Sequence, residues 1–426
     1  MRVLLISANT ETINMPVLPL GMAFVARSAE DSGHVVSQIN LMMAPEAEET
    51  LVQGIRLFQP DIIGISVRNI DDQVSLQPRF LLDPVKPIVG ICRQHSAAKI
   101  VLGGAGYSIF PQSALSYLDA DMGIQGEGES AFVELLRRME EGSDISDIPG
   151  LHYPEFGIAN PPAAHRRIDG DTFPDSGQLI PAVEPAKDGI IWLPFQTRRG
   201  CPLDCSYCST PTIEGRITRK RAIRPVVDAL RRYASAGWHH IFFVDNTFNM
   251  PESYARQLCS EMALSGLKIA WRAIVYPWKM DEELAVKMAE SGCVEVSLGF
   301  ESGAESILGR MKKRYRTDDI RRSSDLLKKA GIRRMGFLLL GSPGETRETV
   351  MESLEFADSL ELDMVKVTIG PRIYPETDLA RQARGSGNIA PDDDLLYPRF
   401  YIEKGMEDWI RSTLDVWMRD RSNWIH

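Results

Sequence analysis

The sequence predicts an α/β protein: an N-terminal doubly wound (Rossmann-like) domain, then a partial (β/α)6 barrel, then a short C-terminal helical segment. Three observations carry this reading. At 426 residues the chain is long for a single core. Short apolar runs alternate with helix-period patterns over residues 1–142 and again over 190–370, the pattern of βαβ units. Between those blocks, residues 143–189 turn rich in Pro, Gly and Asp and read as a linker with a short hairpin at most. Residues 371–426 form the tail.

In the first block, strands are expected at Val3–Ser7, Val35–Leu41, Ile62–Ser66, Ile100–Leu102 and Met122–Ile124. Helices are expected at Leu20–Asp31, Ala47–Phe58, Val85–His95, Pro111–Leu118 and Ser130–Glu141. Such strands are buried on both faces, so they read as continuous apolar runs. A ligand is expected at their carboxyl ends. In the second block, strands are expected at Ile190–Gln196, Ile241–Val244, Ile269–Arg272, Val294–Leu298, Arg334–Leu340 and Met364–Ile369. Their helices are Val226–Ala236, Glu252–Ser265, Glu282–Ser291, Asp318–Lys329 and Glu348–Asp358. Six such units are too few for a full eight-unit barrel. The tail carries one amphipathic stretch, Met406–Arg419, which closes a barrel edge or covers the substrate.

Composition excludes several classes. The longest apolar runs, such as Phe337–Leu340, suit buried strands and cannot span a bilayer. The opening Met1–Ile6 reads as a strand and lacks the long apolar region of a secretory leader, so a reducing cytoplasm is expected. Cys92, Cys259 and Cys293 are scattered through periodic segments and read as buried inert thiols. The chain is net −10, yet residues 198–334 hold 25 Lys+Arg against 16 Asp+Glu. Much of this charge lies in Arg216–Arg221 and Met311–Arg316. A solvated surface is the plain reading of both runs; a docking face for an acidic partner or a flavodoxin- or ferredoxin-like reductant is the other. A nucleic-acid partner is not expected.

The chemistry concentrates in Cys201-Pro-Leu-Asp-Cys205-Ser-Tyr-Cys208, a CxxxCxxC run on a loop after a strand. Soft thiolates suit Fe–S clusters or zinc. Structural zinc wants four protein ligands, and no fourth Cys or His lies nearby in sequence. Three thiolates can hold three irons of a [4Fe–4S] cube and leave the fourth open to a small molecule. With Tyr207 before its last cysteine, the run resembles the signature of the radical S-adenosylmethionine (SAM) superfamily. The resemblance implies that the open iron chelates SAM, whose reductive cleavage gives a 5′-deoxyadenosyl radical. It also implies that the Tyr207 backbone meets the adenine. Ser297-Leu-Gly-Phe-Glu301-Ser302 resembles the family's ribose motif, with the Glu301 carboxylate accepting from the sugar hydroxyls. Gly341-Ser-Pro343-Gly-Glu-Thr346 resembles its adenine motif and also reads as a plain strand–turn–helix junction. Asp245, Asn246 and Arg272 end strands and are candidates for the methionine part of SAM. Tyr276, Trp278, Arg372 and Tyr374 are candidates for the substrate wall, with core packing as the alternative.

A second resemblance covers residues 1 to about 140. Leu18-Pro-Leu20-Gly21, Gly33-His34, Pro60–Ser66, Gly103-Gly104-Ala-Gly106 and Gly126-Glu127-Gly128-Glu129 stand in the order found in the cobalamin-binding domain of B12-dependent radical SAM enzymes. The resemblance implies cobalamin over the strand ends, near Asn9–Thr12 (including Thr10), Leu20, Ser66–Asp71 (including Arg68 and Asn69), Gly103–Gly106 and Gly126–Glu129. No DxHxxG loop is present, and no histidine follows an Asp by two residues, so no protein histidine is expected under the cobalt.

Together these resemblances imply a B12-dependent radical SAM methyltransferase, with a [4Fe–4S] cluster, SAM and cobalamin as cofactors. The expected reaction is C-methylation of an unactivated carbon in a peptide or protein side chain or a small molecule. Cobalt and cluster are expected to face one cavity. A B12-dependent oxidase or cyclase of the anaerobic porphyrin type shares every motif. A non-catalytic corrinoid and Fe–S electron carrier is the alternative outside catalysis.

Overall fold

A computed structural model gives the structure of the chain over residues 1–11, 17–44, 46–165, 167–168, 173–175 and 191–426. Thr12, Ile190 and part of the expected linker lie outside the described residues. The chain divides into two compact units. The first comprises Met1–Asp72, Pro78–Leu193 and Thr210–Arg219; the second comprises Gln73–Gln77, Pro194–Ser209 and Lys220–His426.

The first unit is built on a seven-stranded sheet. Its strands are β1 (Arg2–Ser7), β2 (Val35–Asn40), β3 (Ile62–Ser66), β4 (Lys99–Gly103), β5 (Met122–Ile124), β6 (Leu151–Tyr153) and β7 (Ile158–Ala159), in spatial order 2-1-3-4-5-6-7. β1 to β5 pair in parallel, whereas β6 and β7 add antiparallel. The hairpin expected in the linker thus extends this sheet. The helices are α1 (Leu20–Asp31), α2 (Ala47–Phe58), α3 (Val85–His95), α4 (Ala105–Ile109), α5 (Pro111–Leu118) and α6 (Gly128–Glu141). Val3, Leu5, Met22, Ala26, Phe132 and Leu136 join one core between sheet and helices, as an apolar period meeting both faces requires. A short helix, α7 (Thr210–Glu214), also belongs to this unit.

The second unit carries another seven-stranded sheet. Its strands, in chain and spatial order, are β8 (Leu193–Phe195), β9 (His240–Phe243), β10 (Ala270–Val275), β11 (Cys293–Glu301), β12 (Arg333–Leu340), β13 (Met364–Ile369) and β14 (Trp424–Ile425). From β9 to β14 every neighbour is parallel. Six strands match the expected units; β14 is a seventh, supplied by the tail. The helices that follow are α8 (Ile223–Ser235), α9 (Glu252–Leu264), α10 (Glu282–Glu290), α11 (Glu305–Arg310), α12 (Thr317–Lys329), α13 (Arg347–Ser359), α14 (Asp378–Gly385) and α15 (Glu407–Met418). Phe195, Phe243, Phe248 and Trp271 pack edge-on and tilted against one another with centroids 4.7–5.8 Å apart. That aromatic cluster fixes the early strands of the sheet. Among the described residues no helix is long and apolar enough to cross a membrane.

Candidate active site and cofactor-binding loops

In the first unit the strand order reverses direction between β1 and β3, because β2 lies to one side and β4 to the other. Loops leaving adjacent strands on opposite sides of such a point part and leave a crevice. Ala8, Asn9, Thr10, Val67, Arg68 and Asn69 line a cavity there. Asn9 is buried, and its Nδ2 has no hydrogen-bond partner. An orphaned amide at a topological switch point fits a polar ligand. The neighbouring turn is tight. Gly104 has φ +99°, and a Cβ there would stand 2.6 Å from the Val67 carbonyl oxygen. The Val67 amide donates to Gly103 O at 2.8 Å, and Gly106 N donates to Val67 O at 3.0 Å. Ser66, Gly103, Gly104 and Gly106 thus shape the loops beside this crevice. Gly126 N donates to Ser108 Oγ at 3.0 Å, so the Gly126–Gly128 turn is bound to α4. Glu127 is ion-paired with Arg219. Leu20 opens α1 and does not line the cavity.

In the second unit the Cys201–Cys208 loop leaves β8 and is pinned at its centre. Ser206 N donates to Met311 O at 3.1 Å, and Leu379 N donates to Ser206 O at 2.9 Å. Arg314 donates to Pro202 O at 3.3 Å and reaches Asp204 at 3.5 Å. Cys201 is buried, Cys205 and Cys208 half-buried. Burial pushes the Cys205 thiol up, and the charge of Lys313 opposes that. Among the described residues no three His, Cys, Asp or Glu side chains converge on a single metal ion. Thiols that each cap a different iron of one cube need no such common point.

The end of β11 stands beside this loop. The ladder from β11 to β12 shifts register between Gly299 and Glu301, and Glu301 takes φ +65°. A non-glycine residue in that region stores strain, and such strain gathers at functional sites. The Tyr315 hydroxyl holds the irregularity by donating to Gly299 O at 2.9 Å and Phe300 O at 3.0 Å. Lys313 Nζ donates to Glu301 Oε1 at 3.2 Å and to the Tyr207 hydroxyl at 2.9 Å. Tyr207 packs against Ala304, Ile307, Met311 and Leu339. Burial would discharge Lys313, but Glu301, then the tyrosines and Cys205, outweigh it and keep the ammonium charged. Cluster loop and Glu301 are therefore joined through one buried cation. Ser297 lies earlier on β11, half-buried between Ile274 and Met335.

The turn after β12 is equally constrained. Gly341 and Gly344 take φ +90° and +80°. Glu345 Oε2 accepts from the Gly341 and Ser342 amides, and Glu403 accepts from Gly344 N. Ser342 Oγ and Glu345 Oε1 are buried without partners. Thr346 caps α13, accepting from Thr349 N at 3.3 Å.

Several sequence candidates take other places. The Asp245 carboxylate is fully buried: Oδ1 accepts from Thr197 N and Arg198 N, Oδ2 from the Thr197 hydroxyl, and Arg198 Nε lies 3.2 Å away. It latches the strand before the cysteine loop. Arg372 is buried, with its guanidinium on the Ile373, Leu395, Leu396 and Arg399 carbonyls, so it staples the tail instead of facing a substrate. Tyr276 is also buried; its ring packs on Tyr315 at 4.8 Å, and its hydroxyl accepts from Arg314 N. Tyr374 accepts from Gln73 at 3.0 Å, and Trp278 is half-buried beneath the Lys279 ammonium. Arg272 lies 3.7 Å from Glu295 and over the Phe242 ring. Asn246 follows Asp245 and is half-buried. Lys313 was hidden in a basic run that reads as solvated surface; its one signal was the flanking Tyr315.

Comparison with known proteins agrees with this arrangement. A B12 binding domain matches residues 6–136, and the Radical SAM superfamily matches residues 196–357. An uncharacterized methyltransferase of Pyrococcus horikoshii is 28% identical over 388 residues, covering 89% of this chain and 82% of the relative. The tryptophan 2-C-methyltransferase of Streptomyces laurentii is 26% identical over 439 residues, covering 88% and 73%. A radical SAM methyltransferase from Kitasatospora setae, solved with cobalamin and a [4Fe–4S] cluster, shares the fold with TM-score 0.86 at 22% identity, over 100% of this chain and 90% of that one. This chain therefore belongs to the cobalamin-dependent radical SAM methyltransferase-like family of enzymes, with a [4Fe–4S] cluster, SAM and cobalamin as its cofactors.

Proposed function

We propose that this enzyme transfers a methyl group to an unactivated carbon of an amino-acid side chain, free or within a peptide. When bound, SAM and cobalamin supply the methyl group and the 5′-deoxyadenosyl radical that opens such a carbon to it. The observation that carries the reading is the junction of the cysteine loop with the strained end of β11, through Lys313 Nζ on Glu301 and Tyr207. Cys201, Cys205 and Cys208 would hold the cluster. Glu301 would accept from the sugar hydroxyls of SAM, and the Gly341–Pro343 turn would bring backbone against the adenine. In the first unit, Asn9, Thr10, Arg68 and Asn69 would hold cobalamin in the crevice between β1 and β3. An amino-acid acceptor follows the relative that is a tryptophan 2-C-methyltransferase. A flavodoxin- or ferredoxin-like reductant would deliver the electron in a reducing cytoplasm.

The test is anaerobic reconstitution with iron, sulfide and cobalamin, then incubation with trideuteromethyl SAM and a peptide-rich cell extract. Mass spectrometry should find a product carrying one trideuteromethyl group on carbon. An oxidised or cyclised product with no label would replace methylation with the cyclase chemistry.

A further inference from the structure

Lys313 is a deeply confined cation beside the cysteine loop. Its side chain is 4% exposed and its ammonium lies over three rings, Tyr207, Tyr276 and Tyr315, at 5.1, 5.9 and 5.9 Å from their centroids. Rings hold a cation without accepting its protons, so its hydrogen bonds go to Glu301 Oε1 and the Tyr207 hydroxyl. A salt bridge serving stability alone needs only one carboxylate. This ammonium instead joins Glu301 to Tyr207, the residue before the last cysteine of the loop.

We propose that Lys313 is a positioning residue with two tasks: it holds Glu301 with one oxygen turned to the SAM sugar, and through Tyr207 it fixes a positive charge against the cysteine loop. The inference rests on the reading above that these cysteines carry the cluster and Glu301 meets SAM. With Lys313 on Oε1, Oε2 of Glu301 takes no hydrogen bond from the described residues and stays available. Glu301 needs this restraint because its backbone is already in a left-handed conformation. The buried charge of Lys313 stabilises the reduced, more negative cluster, since the charge around a cluster helps set its potential. The cation bonds the cysteine loop directly at Tyr207 and Glu301 meets it only through the cation, so the positive charge acts from the shorter distance and prevails.

The experiment uses the full chain, reconstituted anaerobically, with the midpoint potential followed by paramagnetic resonance before SAM is added. Lys313→Met should move the potential to a more negative value at unchanged iron content. Glu301→Gln should move it the other way, and the double variant should fall between. SAM binding should weaken about 10- to 100-fold in Lys313→Met, the loss expected when a charge-assisted hydrogen bond no longer holds the sugar's acceptor. Lys313→Gln, which keeps a donor without the charge, should recover part of the SAM affinity and leave the potential low. A potential in Lys313→Met equal to that of the unaltered chain overturns the proposal, as does unchanged SAM affinity. Loss of the folded circular dichroism spectrum in both Lys313 variants would assign the residue to folding alone and also overturn it. An unaltered chain that takes up no cluster would instead sink the underlying functional reading.

Discussion

Glu345 shows what one buried carboxyl does to the turn after β12. It is 3% exposed; burial pushes its pKa up to about 7, against two backbone amides that pull it down. Its neutral form is thus favoured in the folded chain. Below about 4.5 both folded and unfolded chains hold the proton, so the folded state keeps its full stability. As pH rises toward 7 the unfolded chain ionises first, and the folded state loses up to about 3 kcal/mol. Glu345→Gln removes this titration while keeping an oxygen for the Gly341 and Ser342 amides. Denaturant unfolding at pH 4.5 and pH 8 should show the Gln variant gaining on the unaltered chain as pH rises. A constant difference between the two would refute the assignment. Sequence could place Glu345 in a motif, but its ionisation depends on burial, which only packing decides.

At the scale of elements, the strands and helices were largely legible, because parallel strands buried on both faces leave apolar runs that helix periods interrupt. α1, α2, α3 and α5 begin and end where expected, and the five first-block strands differ by a residue or so at their ends. What sequence could not show was the irregular end of β11. Expected to stop at Leu298, the strand runs on to Glu301 through a register shift that no local residue pattern encodes. Its cause lies 14 residues further on, in the Tyr315 hydroxyl. Burial keeps that hydroxyl protonated, so it remains a donor across the working pH range. Tyr315→Phe deletes the hydroxyl that both carbonyls share, while Phe300 O keeps its bond from Ser302 N, at a cost of about 1–3 kcal/mol. The variant should keep its iron, unfold at lower denaturant and bind SAM more weakly, because Glu301 no longer has a fixed base. Unchanged SAM affinity with lowered stability would mean that the bulge serves the sheet and not the ligand. The same distance effect explains Asp245 and Arg372: both sit at strand ends, where polar residues suggest ligands, yet partners far along the chain claim them.

At the scale of the molecule, the two units carry separate cores and separate candidate sites, so each cofactor should load without the other. The crevice between β1 and β3 depends on the tight Gly103–Gly106 turn, and the cysteine loop depends on Met311, Arg314 and Leu379. No residue is shared between these two sets of supports. Replacing Cys201, Cys205 and Cys208 together by Ala should therefore abolish iron and the brown cluster absorbance while the protein still retains corrinoid. Conversely, Gly104→Leu forces a side chain onto the Val67 carbonyl at a backbone angle that side chains avoid. It should lose corrinoid while the reconstituted cluster survives. Iron analysis and the corrinoid absorbance spectrum of both desalted variants check the pair. If the cysteine variant also sheds its corrinoid with its circular dichroism spectrum intact, then cobalamin retention depends on the cluster, and the crevice of the first unit is not sufficient to hold it.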